Sequence, residues 1–270
     1  MYITLQGNTL SITAGVRIPG LPPRRAALEN VGWSHRSRAR LLRRLNTLVA
    51  DDRLVMFGSY TFHGLVSDVT VAGRYWSVYR KRIVRKGVGG IWVRELQRRG
   101  AYHYHAVMLV PPGVSPATLE RNWTDVVDPD DDDLRKYGAR VSVVDAVAKG
   151  VAYVAKYATK SSDTQSGRRW GVFGAVAYAR RSVIKLPSEM LPAIRTVVAE
   201  YAKNGRSEHY DKSTGVYGCV VYLGHALQDC DWDNSPITRA IYAIAQSVMG
   251  DDGISSDNAG CMTALSESVL

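Results

Sequence analysis

The chain has 270 residues, 46% hydrophobic and 22% charged, enough to bury a sizeable core. Its formal charge of +10 and pI of about 9.6 point to a polyanionic partner, most simply nucleic acid. No apolar run approaches the roughly 20 residues of a membrane-spanning helix and no charged-then-apolar leader opens the chain, which argues against an integral membrane or exported protein. Cys219, Cys230 and Cys261 lie outside any Cys-x-x-Cys spacing and read as reduced thiols of a soluble, cytoplasmic protein.

Residues 1–33 carry little pattern, and the prolines between Ile18 and Arg25 argue against regular structure there. From Ser34 to Val49, Leu41, Leu45 and Leu48 recur at helical spacing among Arg36, Arg38, Arg40, Arg43 and Arg44, which predicts a basic amphipathic helix. Its arginines suit DNA phosphates, and equally a solvated face. Leu54 to Phe62 reads as the first core strand, with Thr61 and His63 on one face. His63 is expected in a structural or substrate-contact role rather than as a metal ligand. Ser67 or Asp68 can cap a helix running to about Lys86, ended by Gly87, Gly89 and Gly90.

Ile91 to Glu95 and Tyr102 to Leu109 are strand-like, and Gln97-Arg98-Arg99-Gly100 between them has the character of a hairpin loop. Side chains on a strand alternate faces, so His103 and His105 point the same way, about 6 to 7 Å apart along the backbone. A loop centred on Arg99 sets Glu95 across from His103 on that face, with Cβ atoms about 5 Å apart. Two imidazoles and a carboxylate suit a divalent cation with positions left open for a substrate oxygen or water. Histidine pairs on half-buried strands also occur simply as hydrogen-bonding groups.

Pro111 to Trp123 reads as a turn and short helix, Asp128 to Asp133 as a solvated acidic loop without an EF-hand pattern, and Val141 to Val144 as a strand. From Asp145 an alanine- and valine-rich helix is expected, containing Tyr-x-x-Lys twice, as Tyr153 with Lys156 and Tyr157 with Lys160. Four residues turn a helix by about 400°, which puts both tyrosines on one face and a lysine near each. A nearby ammonium favours phenolate over phenol, so this pattern suits nucleophilic attack on phosphorus. It also suits an aromatic core stripe edged by exposed lysines. Ser161 to Gly167 reads as flexible, and Arg168, Arg169 and Trp170 suit phosphate pairing and base stacking, or a buried indole with surface arginines. Helices are expected over 188–203 and 235–249, a strand over 216–223, and a disordered tail from Gly250.

Over roughly residues 50–175 these motifs resemble the HUH endonuclease superfamily, and more closely the rolling-circle replication initiators of small phages and plasmids. Phe57 to Phe62, a hydrophobic strand carrying Thr61, resembles the first motif. Glu95 with His103-Tyr104-His105 matches the second, and the doubled Tyr-x-x-Lys matches the third in its two-tyrosine form.

The resemblance implies an α+β, ferredoxin-like core with a central antiparallel sheet flanked by helices, and helical additions at both ends. The expected layout is an arm and basic helix over 1–50, the endonuclease core over 51–187, an extension over 188–249 and a tail over 250–270. The resemblance further implies Mg²⁺ or Mn²⁺ at Glu95, His103 and His105, and Tyr153 and Tyr157 as nucleophiles assisted by Lys156 and Lys160. DNA contacts would come from Thr61, Arg98, Arg99, Arg168 and Arg169. The expected activity is nicking and rejoining of single-stranded or hairpin origin DNA in the cytoplasm of a bacterial host, alongside a host helicase and polymerase. Transposases and relaxases share two of the motifs, and a non-catalytic nucleic-acid-binding module on the same fold is the alternative from another class.

Overall fold

The computed structural model describes residues 1–6, 9–14, 35–144, 150, 154, 167–179, 181–201, 206–211, 216–222 and 236–249. The elements before residue 100 are β1 (Tyr2–Gln6), β2 (Thr9–Ala14), α1 (His35–Asn46), β3 (Leu48–Val49), β4 (Leu54–Tyr60), α2 (Val69–Val84) and β5 (Gly89–Leu96). After them come β6 (Tyr102–Val110), α3 (Pro116–Val127), α4 (Asp132–Tyr137), β7 (Ala139–Val143), β8 (Trp170–Phe173), β9 (Ala177–Tyr178) and β10 (Arg181–Lys185). A 3₁₀ turn (Ser188–Met190) leads into α5 (Leu191–Tyr201), β11 (Arg206–Asp211), β12 (Val216–Tyr222) and α6 (Pro236–Met249). Two compact units result, one from Ala27–Tyr178 and one from Met1–Ala26 with Ala179–Leu270.

The unit Ala27–Tyr178 is α+β. Its five-stranded antiparallel sheet has the order β7-β4-β6-β5-β8, so β6, with both histidines, is the middle strand. Tyr102, Tyr104, Ala106, Met108 and Val110 of β6 enter one apolar cluster with Trp76 and Tyr79 of α2 and Trp123 of α3. Val107 and Leu109 enter another with Leu41 and Leu45 of α1. Helices thus cover both faces, which is why β6 is an almost unbroken apolar run rather than a clean alternation. The two histidines interrupt that run on the α1 side.

Local sequence accounts for the elements that set the site. Asp68 caps α2 by accepting from the Thr70 and Val71 amides, and Ala72, Trp76, Tyr79 and Ile83 form its buried stripe. The β5–β6 hairpin closes through Gly100 N–H to Gln97 O at 2.8 Å and Gln97 N–H to Ala101 O at 2.9 Å. Gly100 adopts φ 84°, a left-handed conformation that a side chain would strain.

The acidic run is only partly a loop. Asp131 caps α4 by accepting from the Leu134 amide, and Asp132 and Asp133 occupy its first turn, where carboxylates oppose the helix dipole favourably. Trp170 to Phe173 forms the edge strand β8 on β5. Residues 2–14, which showed little pattern, form β1 and β2, paired Ile3↔Ile12 and Leu5↔Leu10.

In the second unit the sheet order is β10-β1-β2-β12-β11. Ile3, Leu5, Leu10, Ile12 and Ile184 face Ile194 and Val198 of α5 and Ile237, Ile241 and Ala245 of α6, so two amphipathic helices cover one side of that sheet. The prolines between residues 18 and 25, residues 161–166 and the tail from Gly250 lie outside the described residues.

Candidate metal and nucleic-acid site

Glu95 pairs with His103 across the β5–β6 ladder, and His105 stands two residues further along β6. One donor atom from each of Glu95, His103 and His105 lies within 4.8 Å of the others, a cluster that can hold a metal ion. The imidazole centroids are 4.4 Å apart. His105 is 1% exposed, and Phe57 of β4 stacks on it with centroids 5.9 Å apart.

The hydrogen bonds around the two rings differ. His105 Nε2 lies 3.1 Å from Glu95 Oε2, and His105 Nδ1 lies 3.0 Å from Ser59 Oγ. A carboxylate only accepts, so against an ionised Glu95 the shared proton sits on Nε2, and Ser59 donates to Nδ1. A cation taking Nε2 displaces that proton and reverses the serine bond, which a hydroxyl permits because it both donates and accepts.

His103 is held by Gln97, whose Nε2 lies 2.9 Å from His103 Nδ1 and whose Oε1 accepts from Arg99 Nε at 2.8 Å. Burial, then the charge of neighbouring His105, pushes the His103 pKa down to about 3 against the opposing pull of Glu95. The ring is therefore neutral at pH 7, as a metal ligand must be. Two neutral-capable imidazoles and one carboxylate fit Mg²⁺ or Mn²⁺, although this donor set does not separate them from other divalent ions.

Of the expected DNA-contacting residues, Thr61 and Arg99 meet directly. Arg99 Nη2 donates to Thr61 Oγ1 at 3.0 Å and to Phe62 O at 2.9 Å, so one guanidinium links the end of β4 through Gln97 to His103. Trp123 Nε1 holds Thr61 O at 2.8 Å, fixing this corner from α3. Arg98 is exposed at the hairpin tip. Arg168 lines a cavity with Trp76, Trp92 and Tyr104, on the opposite face of the sheet, and Arg169 is buried with its backbone oxygen accepting from Arg94 N–H at 2.7 Å. His63 is exposed and bonds Asp131 through Nδ1 at 2.8 Å, away from the Glu95 cluster.

Tyr153, Lys156, Tyr157 and Lys160 lie outside the described residues. Two neighbours within that segment are described, both helical, and both meet the histidine face of the sheet. Val154 is fully buried in the cluster that contains Val93 and Val107, and a Cβ on Gly150 would come 2.7 Å from Val107 Cγ2. Val93 lies two residues before Glu95, and Val107 two residues after His105, so all four side chains share one face.

Ser59 and Gln97 are the site residues that the sequence motifs did not single out. Strand parity offered a signal for each, since Gln97 follows Glu95 by two positions and Ser59 precedes Thr61 by two. Residues 67–162 match a family model for replication-associated proteins of the ORF2 type. That interval takes in Glu95, His103, His105 and the doubled Tyr-x-x-Lys, and the similarity supports a replication-initiator role. No curated protein and no solved structure matches the chain.

Proposed function

We propose that the chain is a rolling-circle replication initiator of the HUH type, which nicks single-stranded or hairpin origin DNA and rejoins it through a phosphotyrosine. The observation that carries this reading is the convergence of Glu95, His103 and His105 within 4.8 Å on the sheet face against which Gly150 and Val154 pack. Gly150 precedes the tyrosine motif and Val154 lies within it, so the motif's nearest described residues are on the same face as the triad.

In this reading Glu95, His103 and His105 hold Mg²⁺ or Mn²⁺, which when bound supplies Lewis-acid polarisation of a phosphoryl oxygen. Tyr153 or Tyr157 attacks the scissile phosphorus through its phenolate oxygen. The bond from phosphorus to the 3′ oxygen breaks, and that oxygen takes a proton to leave as a 3′-hydroxyl. The 5′-phosphate remains on the tyrosine as a diester, so the bond energy is kept and the reverse attack by a 3′-hydroxyl reseals a strand. Lys156 and Lys160 favour the phenolate and offset negative charge that grows in the transition state. Arg99 beside Thr61, and Arg98 at the hairpin tip, offer phosphate contacts that position the strand. With two tyrosines, one can cut a regenerated origin while the other still holds the first end.

The experiment is incubation with a panel of single-stranded origin oligonucleotides and Mn²⁺, followed by denaturing electrophoresis. A covalent protein–DNA adduct that forms only with metal is the expected result. Binding without adduct across the panel, unaffected by changing both tyrosines to phenylalanine, would identify a non-catalytic nucleic-acid-binding module instead.

A further inference from the structure

On the sheet face opposite Glu95, His103 and His105, a cavity of about 390 Å³ is lined by Trp76 and Arg80 of α2, Trp92 and Arg94 of β5, Tyr104 of β6, and Arg168. Its walls alternate guanidinium and aromatic groups. The Arg80 guanidinium lies 5.4 Å over the Trp92 ring, and the Trp76 ring stacks on Tyr104 with centroids 4.6 Å apart. No carboxylate is among the described residues that line it.

The cavity holds more donors than it satisfies. Arg80 Nε and the indole N–H groups of Trp76 and Trp92 are buried without a hydrogen-bond acceptor. Arg168 is exposed at the rim, and neither it nor Arg80 makes an ion pair among the described residues. Burial, and then the like charge of Arg168, both weigh against the Arg80 cation, with Tyr104 pulling the other way. Leaving buried donors unpaired and like charges close together is unfavourable, and an oxyanion between them corrects both defects.

We infer that this cavity is a second anion site, and that it takes the phosphate group of a nucleotide. Planar guanidinium groups match phosphate oxygens in geometry and charge, and aromatic walls accept a sugar or base beside the phosphate. A volume of about 390 Å³ lies within the range of small-ligand sites. Two sources share this chemistry: a free deoxynucleotide, or one phosphate of a single strand that passes over this face. The site is separated from Glu95, His103 and His105 by the sheet itself, so it stands whether or not those residues bind metal.

The test follows the indole N–H signals of Trp76 and Trp92 by NMR in the full chain, each assigned through a Trp→Phe variant. Inorganic phosphate, thymidine 5′-monophosphate and oligothymidylate are titrated at constant ionic strength, with thymidine and sodium chloride as controls. Saturating shifts of both signals are expected, weakened at least tenfold in Arg80→Gln and in Arg168→Gln and unchanged in His103→Ala. Saturation by the monophosphate assigns the free nucleotide, whereas saturation by oligothymidylate alone assigns the strand phosphate. Shifts that follow ionic strength only, or that thymidine reproduces, would overturn the inference. So would equal affinity in Arg168→Gln, an exposed substitution that decides the matter even if Arg80→Gln fails to fold.

Discussion

His105 and Glu95 meet across the β5–β6 ladder with His105 Nε2 and Glu95 Oε2 3.1 Å apart, while Ser59 Oγ holds the other ring nitrogen at 3.0 Å. One imidazole is thereby fixed from both neighbouring strands. Residues that orient a ligating histidine typically contribute about 10- to 100-fold to metal affinity. Ser59→Ala should accordingly weaken Mn²⁺ binding by about tenfold in calorimetric titration while leaving the fold intact, and Glu95→Ala should weaken it further. Affinity in Ser59→Ala equal to that of the unmodified chain would show that the serine bond orients nothing.

The depressed His103 pKa makes a prediction about acid. In the folded chain it is about 3, below the ordinary 6.5, so between those values the unfolded state binds more protons. The stability linked to neutral His103 is therefore fully present above about pH 6.5 and drains away as pH falls. Urea midpoints measured at pH 7 and pH 5 should fall more steeply in the unmodified apo chain than in His103→Ala. Parallel slopes would mean that His103 is not held neutral by its surroundings.

His63 behaves in the opposite sense. Its hydrogen bond to Asp131, then the carboxylate charge, raises its pKa above 6.5, and the Asp131 carboxyl is lowered, chiefly by the Leu134 amide it caps. The charged pair exists between those two values and is lost as pH rises through the raised histidine pKa. NMR titration of His63 should give a midpoint above 6.5, returning toward it in Asp131→Asn. Both groups are exposed, so global stability should barely register the change.

Gly150 offers a test of how the tyrosine segment approaches the triad. A Cβ there would come 2.7 Å from Val107 Cγ2, and valine adds further bulk at the same point. Gly150→Val should lower nicking at least tenfold while leaving Mn²⁺ affinity within about twofold, since crowding of this kind displaces packed elements at a cost of about 1–3 kcal/mol. Unchanged nicking would place the packing of Gly150 on Val107 outside the requirements of the reaction.

How much of this was legible depended on the range of the signal. The Glu95, His103 and His105 face follows from strand alternation and the length of one loop, both local, and the structure shows that register. The capped α2 was readable for the same reason, from Asp68 and the buried stripe beyond it. Ser59 and Gln97 were not singled out because serine and glutamine carry no ligand signature, and their roles arise only when β4 and the hairpin loop meet β6. Strands β1 and β2 escaped notice since Thr, Ser and Gln opposite Ile3, Leu5, Leu10 and Ile12 dilute the alternation, and their antiparallel partner β10 begins at Arg181. The cavity beside Arg80 was invisible for a similar reason, because α2, β5, β6 and Arg168 assemble it from distant parts of the chain.

The central claim is that a tyrosine of the doubled Tyr-x-x-Lys motif becomes joined to the DNA 5′-phosphate. Peptide mapping by mass spectrometry of the adduct formed with origin DNA and Mn²⁺ tests it most directly, run on the unmodified chain, Tyr153→Phe, Tyr157→Phe and the double variant. The expected result is a phosphonucleotide on Tyr153 or Tyr157, retained at unequal rates in each single variant and absent from the double variant. An adduct that maps elsewhere, or that forms undiminished when both tyrosines are phenylalanine, would contradict it.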